Sequence, residues 1–186
     1  DPTPPRTDAI RYNTPTWKGA NLATSIQQGG GMDTSLRHQG AFGKYKSDVG
    51  VGYRWVNGNS SRPNQVGEAL VSSASIKHAW GFSLSGAYTW QHVQSPSAGV
   101  RNPFGTYLKV GYTWGDYGIA ADWNHHEQSV LTSTGNTLDA YGLGAEWQLA
   151  DSVTLAATYK RMELDITTLP ETLPIDLYLL GMGVQF

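Results

Sequence analysis

The chain has 186 residues, enough for one domain of ordinary size. A net charge of −2 gives no strong electrostatic case for nucleic acid or an acidic partner. No apolar run approaches the ~18 residues of a membrane-spanning helix, and cysteine is absent, which excludes disulfides and thiolate metal sites.

Alternating stretches of about ten residues, separated by turn chemistry, predict an all-β chain of about eleven strands. The first two are Ala9–Thr14 and Ala20–Gln28; a weaker one spans Leu36–Tyr45, and its faces cannot be assigned from sequence. Val49–Asn57 sets Val49, Val51, Tyr53 and Trp55 against Gly50, Gly52 and Arg54. Val66–His78 sets Leu70, Ala74 and Ile76 against Val71, Ser73, Ser75 and Lys77. Phe82–Val93 carries Phe82, Leu84, Tyr88 and Trp90 opposite serine, alanine and threonine. Phe104–Trp114 opposes Leu108, Val110, Tyr112 and Trp114 to Tyr107, Lys109 and Gly111. Tyr117–Gln128 opposes Tyr117, Ile119 and Trp123 to Gly118, Asp122 and Asn124. Leu138–Leu149 separates Tyr141, Leu143 and Trp147 from Gly142, Gly144 and Glu146, and Ser152–Leu164 separates Val153, Leu155 and Tyr159 from Thr154, Thr158 and Lys160. The final strand, Asp176–Phe186, places Tyr178, Leu180, Met182, Val184 and Phe186 on one face and Leu177, Leu179, Gly181, Gly183 and Gln185 on the other.

An apolar file with aromatics at both ends is the pattern of a transmembrane β-strand, which meets lipid with alternate residues only. Ten Tyr and seven Trp against 15% charged residues agree with it, since both side chains favour membrane–water interfaces. Arg54, Lys77, Lys109, Asp122, Glu146 and Lys160 all oppose the aromatic–aliphatic file. The connections alternate in predicted length. Thr14–Gly19, Lys46–Asp48, Ala79–Gly81, Gly115–Asp116 and Ala150–Asp151 are short. Gly29–Ser35, Gly58–Gln65, Gln94–Pro103, Ser129–Thr137 and Asp165–Ile175 are long. Bacterial barrels have short periplasmic turns and long outer loops, so the C-terminus is expected in the periplasm.

The segment Ala9-Ile-Arg-Tyr-Asn-Thr-Pro-Thr-Trp-Lys-Gly19, together with the terminal Phe186, resembles the Gram-negative general diffusion porins. In that family such a strand and turn follow the loop that narrows the pore. The resemblance implies a trimeric, 16-stranded barrel in the bacterial outer membrane, of which this chain is the C-terminal portion. Residues 9–186 are then strands and connections, and residues 1–8 the tail of the constriction loop. Sixth to sixteenth strand is eleven, in agreement with the count from periodicity. An odd, open sheet leaves two unpaired edges in hydrocarbon. Further polypeptide supplying the missing N-terminal strands is therefore expected, beside outer-membrane lipid; a small self-closed barrel would need ten strands instead.

The resemblance also implies passive diffusion of ions and small hydrophilic solutes, with neither catalysis nor cofactor. Arg11 matches the family motif as a basic wall residue, and Arg54, Lys77, Lys109, Asp122, Glu146 and Lys160 have pore-lining parity. Two alternatives are a non-conducting scaffold for a partner protein and a small barrel enzyme. For the latter only His125-His126-Glu127 offers candidate chemistry. Adjacent strand residues face opposite sides, so those two histidines are not expected to share a metal.

Overall fold

The computed structural model describes residues 8–28, 30–56, 65–94, 96, 101–127, 135–166 and 173–184. Among them the chain forms one eleven-stranded antiparallel meander: β1 (Ala9–Asn13), β2 (Ala20–Gln27), β3 (Gly31–Phe42), β4 (Tyr45–Trp55), β5 (Gln65–His78), β6 (Phe82–Gln94), β7 (Phe104–Trp114), β8 (Tyr117–Glu127), β9 (Asn136–Ala150), β10 (Val153–Ile166) and β11 (Leu173–Val184). Each strand pairs with its neighbours in sequence. Among the described residues β1 pairs only with β2, and β11 only with β10, so the sheet has two free edges.

Directly opposed residues in antiparallel strands share a face, so the register sorts the side chains. One face holds Tyr53–Leu70–Trp90–Phe104, then Leu108–Trp123–Tyr141–Arg161 and Ala121–Leu143–Tyr159–Tyr178. The other holds Asp48–Ser75–Ser85–Lys109–Asp122–Gly142–Lys160. The sheet encloses no packed core: Ala23, Val93 and Ala140 are the buried hydrophobic residues among those described. Central-strand residues such as Leu143 (60% exposed) and Ile119 (52%) remain open on the apolar face. A soluble sheet would bury that face, whereas a membrane barrel turns it to lipid.

The turns at one end are tight. Trp17 and Ala20 bridge across Lys18 (φ 48°) and Gly19 (φ 84°), two consecutive left-handed residues as a type I′ turn requires. A Cβ on Gly19 would lie 2.0 Å from the Gln39 carbonyl oxygen, because the turn docks on β3. Gly81 (φ 102°) docks likewise, with its carbonyl accepting from the Thr113 amide at 3.1 Å.

Two expected connections are corrected. The predicted turn Lys46–Asp48 lies inside β4, and the chain reverses at Gly43-Lys44 instead. Gly43 has φ 58°, and the Phe42 and Tyr45 rings stack at 5.4 Å across the hairpin. The long connection expected at Gly29–Ser35 is a short link at 28–30, with Gly30 at φ 88° and β3 already running from Gly31. Strict alternation of short and long links therefore fails between β2 and β3. Links at 56–64, 95–103, 128–135 and 167–172 remain long, all at the same end of the sheet. In place of the weak strand expected at Leu36–Tyr45, β3 runs twelve residues from Gly31 to Phe42, and Tyr45 already begins β4; the described residues thus form eleven strands, and the ten-stranded alternative falls.

Candidate pore wall

The polar face is built of ion pairs and amide bridges laid along the wall. On β3 and β4, Arg37 Nε donates to Asp48 Oδ1 at 2.9 Å and its Nη2 donates to Oδ2, while Gln39 Nε2 donates to Oδ2 at 2.9 Å. On β2 and β3, Ser25 Oγ and Gln27 Nε2 both donate to Asp33. Asp33 lies opposite Arg54 in the register, and Arg11 lies opposite Ser25. Arg11 Nε itself donates to Asn13 Oδ1 at 3.1 Å. Asp122 accepts from Asn124 Nδ2 at 3.3 Å, pairs with Lys160 Nζ at 3.8 Å, and is the register partner of Lys109.

Glycines make room for the two acids. A Cβ on Gly142 would come within 2.2 Å of Asp122 Oδ1, and one on Gly118 within 2.5 Å of Glu146 Oε1. Both carboxylates thus lie flat over a neighbouring glycine, held against the wall. The register places Arg11, Arg54, Lys77, Lys109, Asp122, Glu146 and Lys160 on this one face. It adds four charges that sequence reasoning missed: Asp33, Arg37, Lys46 and Asp48. They fall where a connection, an unassigned strand or a turn was expected. Pairs placed symmetrically about Gly43-Lys44, such as Ala41 with Lys46 and Gln39 with Asp48, were the available signal. The polar face also has an apolar corner, formed by Leu138, Met162, Leu164, Ile175, Leu177 and Leu179 on β9–β11.

The opposite face is banded. At the short-turn end, rings run through Tyr112–Trp114 (5.6 Å), Trp114–Tyr117 (6.0 Å) and Tyr117–Trp147 (5.9 Å). Tyr45, His78 and Trp80 continue this belt at 4.5 and 4.2 Å. At the long-link end, Tyr159 and Tyr178 (5.0 Å) share a second belt with Trp55, Trp90, Trp123 and Tyr141. Between the belts the wall is mainly aliphatic, with His38, Ser47 and Ser72 as polar exceptions on β3–β5; Ala121, Ala145 and Ala157 help line an apolar recess of about 740 Å³. The belts are not equally spaced. On β4 Tyr45 and Trp55 are ten positions apart, and on β8 Tyr117 and Trp123 are six. Beyond Trp123 the apolar face turns charged, with His125 Nδ1 at 2.9 Å from Asp139 Oδ1, Arg161 Nε donating to Glu163 at 2.8 Å, and Tyr159 donating to Asp176 at 2.7 Å.

His125 and His126 face opposite sides, the first opposite Asp139 and the second opposite Leu138. Among the described residues no three metal-ligating side chains converge.

An antiparallel meander with a charged face and an aromatic-banded apolar face is the wall of a transmembrane β-barrel. Comparison with known proteins names the family. The sequence matches the Gram-negative porin family over residues 3–167, and the chain belongs to that family. No curated protein matches it in sequence. Among solved structures it is similar to a porin refined at 1.8 Å resolution, with TM-score 0.57 and 13% identity over 94% of this chain and 62% of that one. It is similar to OccK9 (OpdG) of Pseudomonas aeruginosa, with TM-score 0.62 and 12% identity over 95% of this chain and 54% of that one. An anion-selective porin from Comamonas acidovorans matches with TM-score 0.56 and 12% identity over 95% of this chain and 57% of that one. The chain therefore spans between about half and two thirds of the structures it resembles.

Proposed function

We propose that this chain is the C-terminal portion of an outer-membrane porin whose polar face lines a water-filled channel for passive diffusion of small hydrophilic solutes and ions. The observation that carries this is the segregation of charge. Between the two aromatic belts, charged side chains of the central strands are on the polar face. A Lys or Arg facing mid-membrane lipid would cost about 2–4 kcal/mol, whereas facing water it costs little. On this reading Arg11, Arg54, Lys77, Lys109, Asp122, Glu146 and Lys160 line the pore. The short turns and the C-terminus lie in the periplasm, and the edges of β1 and β11 are joined by further polypeptide. Assembly as a homotrimer follows from the family resemblance.

Seven basic and four acidic residues stand on the described polar face, which supports a preference for anions. Reconstitution of the full-length protein in planar bilayers tests the reading. Stepwise conductance with a reversal potential favouring chloride over potassium is expected. A sealed, non-conducting particle would instead favour the scaffold alternative.

A further inference from the structure

One pair of charges on the polar face has no counterpart. Lys46 on β4 and Lys77 on β5 are direct register partners, and both are exposed. Like charges placed opposite each other repel. Neither forms an ion pair with a described residue; Arg54 and Lys109 form none either, but each faces an acid in the register, Asp33 and Asp122, whereas Lys46 and Lys77 face each other. The pair borders a recess of about 600 Å³ that Ser75, Ser83 and Ser85 also line. Ser83 follows Lys77 in the same register row, and Ser75 and Ser85 oppose each other in the next row. Asp48 also borders the recess, but its carboxylate is already held by Arg37 and Gln39. The recess is left with two free ammonium groups and three hydroxyls that can turn to donate.

The surroundings direct anions there. Lys18 and Lys44 occupy the short turns before β2 and β4, on the same rim as Lys46 and Lys77. The short turns between β7 and β8 and between β9 and β10 carry Asp116 and Asp151 instead, with Glu146 close by on β9. The mouth is therefore electrically lopsided, basic over β1–β6 and acidic over β7–β10. Such a field steers anions to the basic arc.

The geometry points to a binding site for a multiply charged oxyanion of the phosphate type, held between Lys46 and Lys77 at the short-turn mouth and hydrogen-bonded by Ser75, Ser83 and Ser85. Two ammonium groups at one register position suit two negative charges on one ligand, and their mutual repulsion is relieved when it binds. The placement of the site in a pore mouth rests on the channel reading above.

The test uses the full-length protein in detergent and in bilayers, with inorganic phosphate as probe. Phosphorus NMR line broadening reports binding whether or not the protein conducts. Phosphate should broaden with the native protein and with the outward-facing control Arg161→Gln. The double variant Lys46→Gln/Lys77→Gln should bind about tenfold more weakly or worse, the loss of at least one charge-assisted hydrogen bond. Each single variant should fall between, and Lys46→Arg/Lys77→Arg should restore binding should the glutamine pair fold poorly. In bilayers, phosphate should depress chloride current more from the short-turn side than from the other. Broadening that survives the double variant, or its absence from the native protein, overturns the site. A conducting pore with no phosphate response overturns the site and leaves the channel reading standing. Lysine-dependent broadening without conductance does the reverse.

Discussion

At the residue scale, the acids of the wall depend on glycines that leave them space. Gly142→Val would drive a side chain into the Asp122 carboxylate, since even a Cβ comes within 2.2 Å of it. Asp122 would swing off the wall and lose Lys160, now 3.8 Å away. The expected outcome is a changed ion selectivity in an otherwise folded barrel, read as a shift in reversal potential. Gly19→Ala acts differently. It combines a positive φ of 84° with a clash at 2.0 Å against the Gln39 carbonyl, so a loss of about 1–3 kcal/mol is expected. A lowered midpoint of heat unfolding, followed by β-sheet circular dichroism, checks it. Arg37→Ala should leave the fold intact, because the pair it makes with Asp48 is largely exposed. Its removal subtracts a positive charge from the wall, and anion preference should fall in bilayer recordings.

At the scale of the element, the two faces of one strand pair should respond very unequally to the same substitution. Leu143→Arg places a charge on the aliphatic band and should cost about 2–4 kcal/mol. Thr158→Arg, on the polar face of the adjacent strand, should cost far less. Urea midpoints in lipid vesicles measure both. The same contrast explains how far the strands could be found from sequence. Phe104–Trp114 was legible to the residue, because Gly115-Asp116 marks its end and its apolar file runs without a break from Leu108 to Trp114. Residues 29–48 were not. There Asp33, Arg37, Lys46 and Asp48 look like connection chemistry, since polar runs usually mean solvent-exposed turns. A wetted barrel wall removes the penalty for charge inside a strand. The polar face thus erases the signal by which strand ends are recognised, and the apolar face keeps it: Met32, Thr34, Leu36 and Tyr45, Ser47, Val49 still alternate outward.

At the scale of the whole molecule, the free edges of β1 and β11 matter most. Unpaired backbone groups in hydrocarbon cost several kcal/mol each, so a particle of this wall in a membrane is expected to carry more polypeptide. Mass spectrometry of the detergent-extracted particle, native and then denatured, should find each barrel heavier than 20.2 kDa. A particle holding only this chain would remove the 16-stranded reading. Trp90, Trp114 and Trp147 share the apolar face, and brominated lipids should quench their fluorescence. Quenching by water-soluble agents alone would reverse the assignment of the faces.

The unequal spacing of the aromatic belts bears on the bilayer itself. At about 3.4 Å per residue and a tilt near 40°, the band is roughly 26 Å tall at β4 and roughly 16 Å at β8. Hydrocarbon cannot change thickness that far around one perimeter without strain, and each ångström of mismatch costs a fraction of a kcal/mol. The wall relieves it by leaning, or by pinching the membrane beside β8–β10. Lipid around this wall is therefore expected to be unevenly stressed, with shorter-tailed lipids enriched along the stretch of circumference that has the short band.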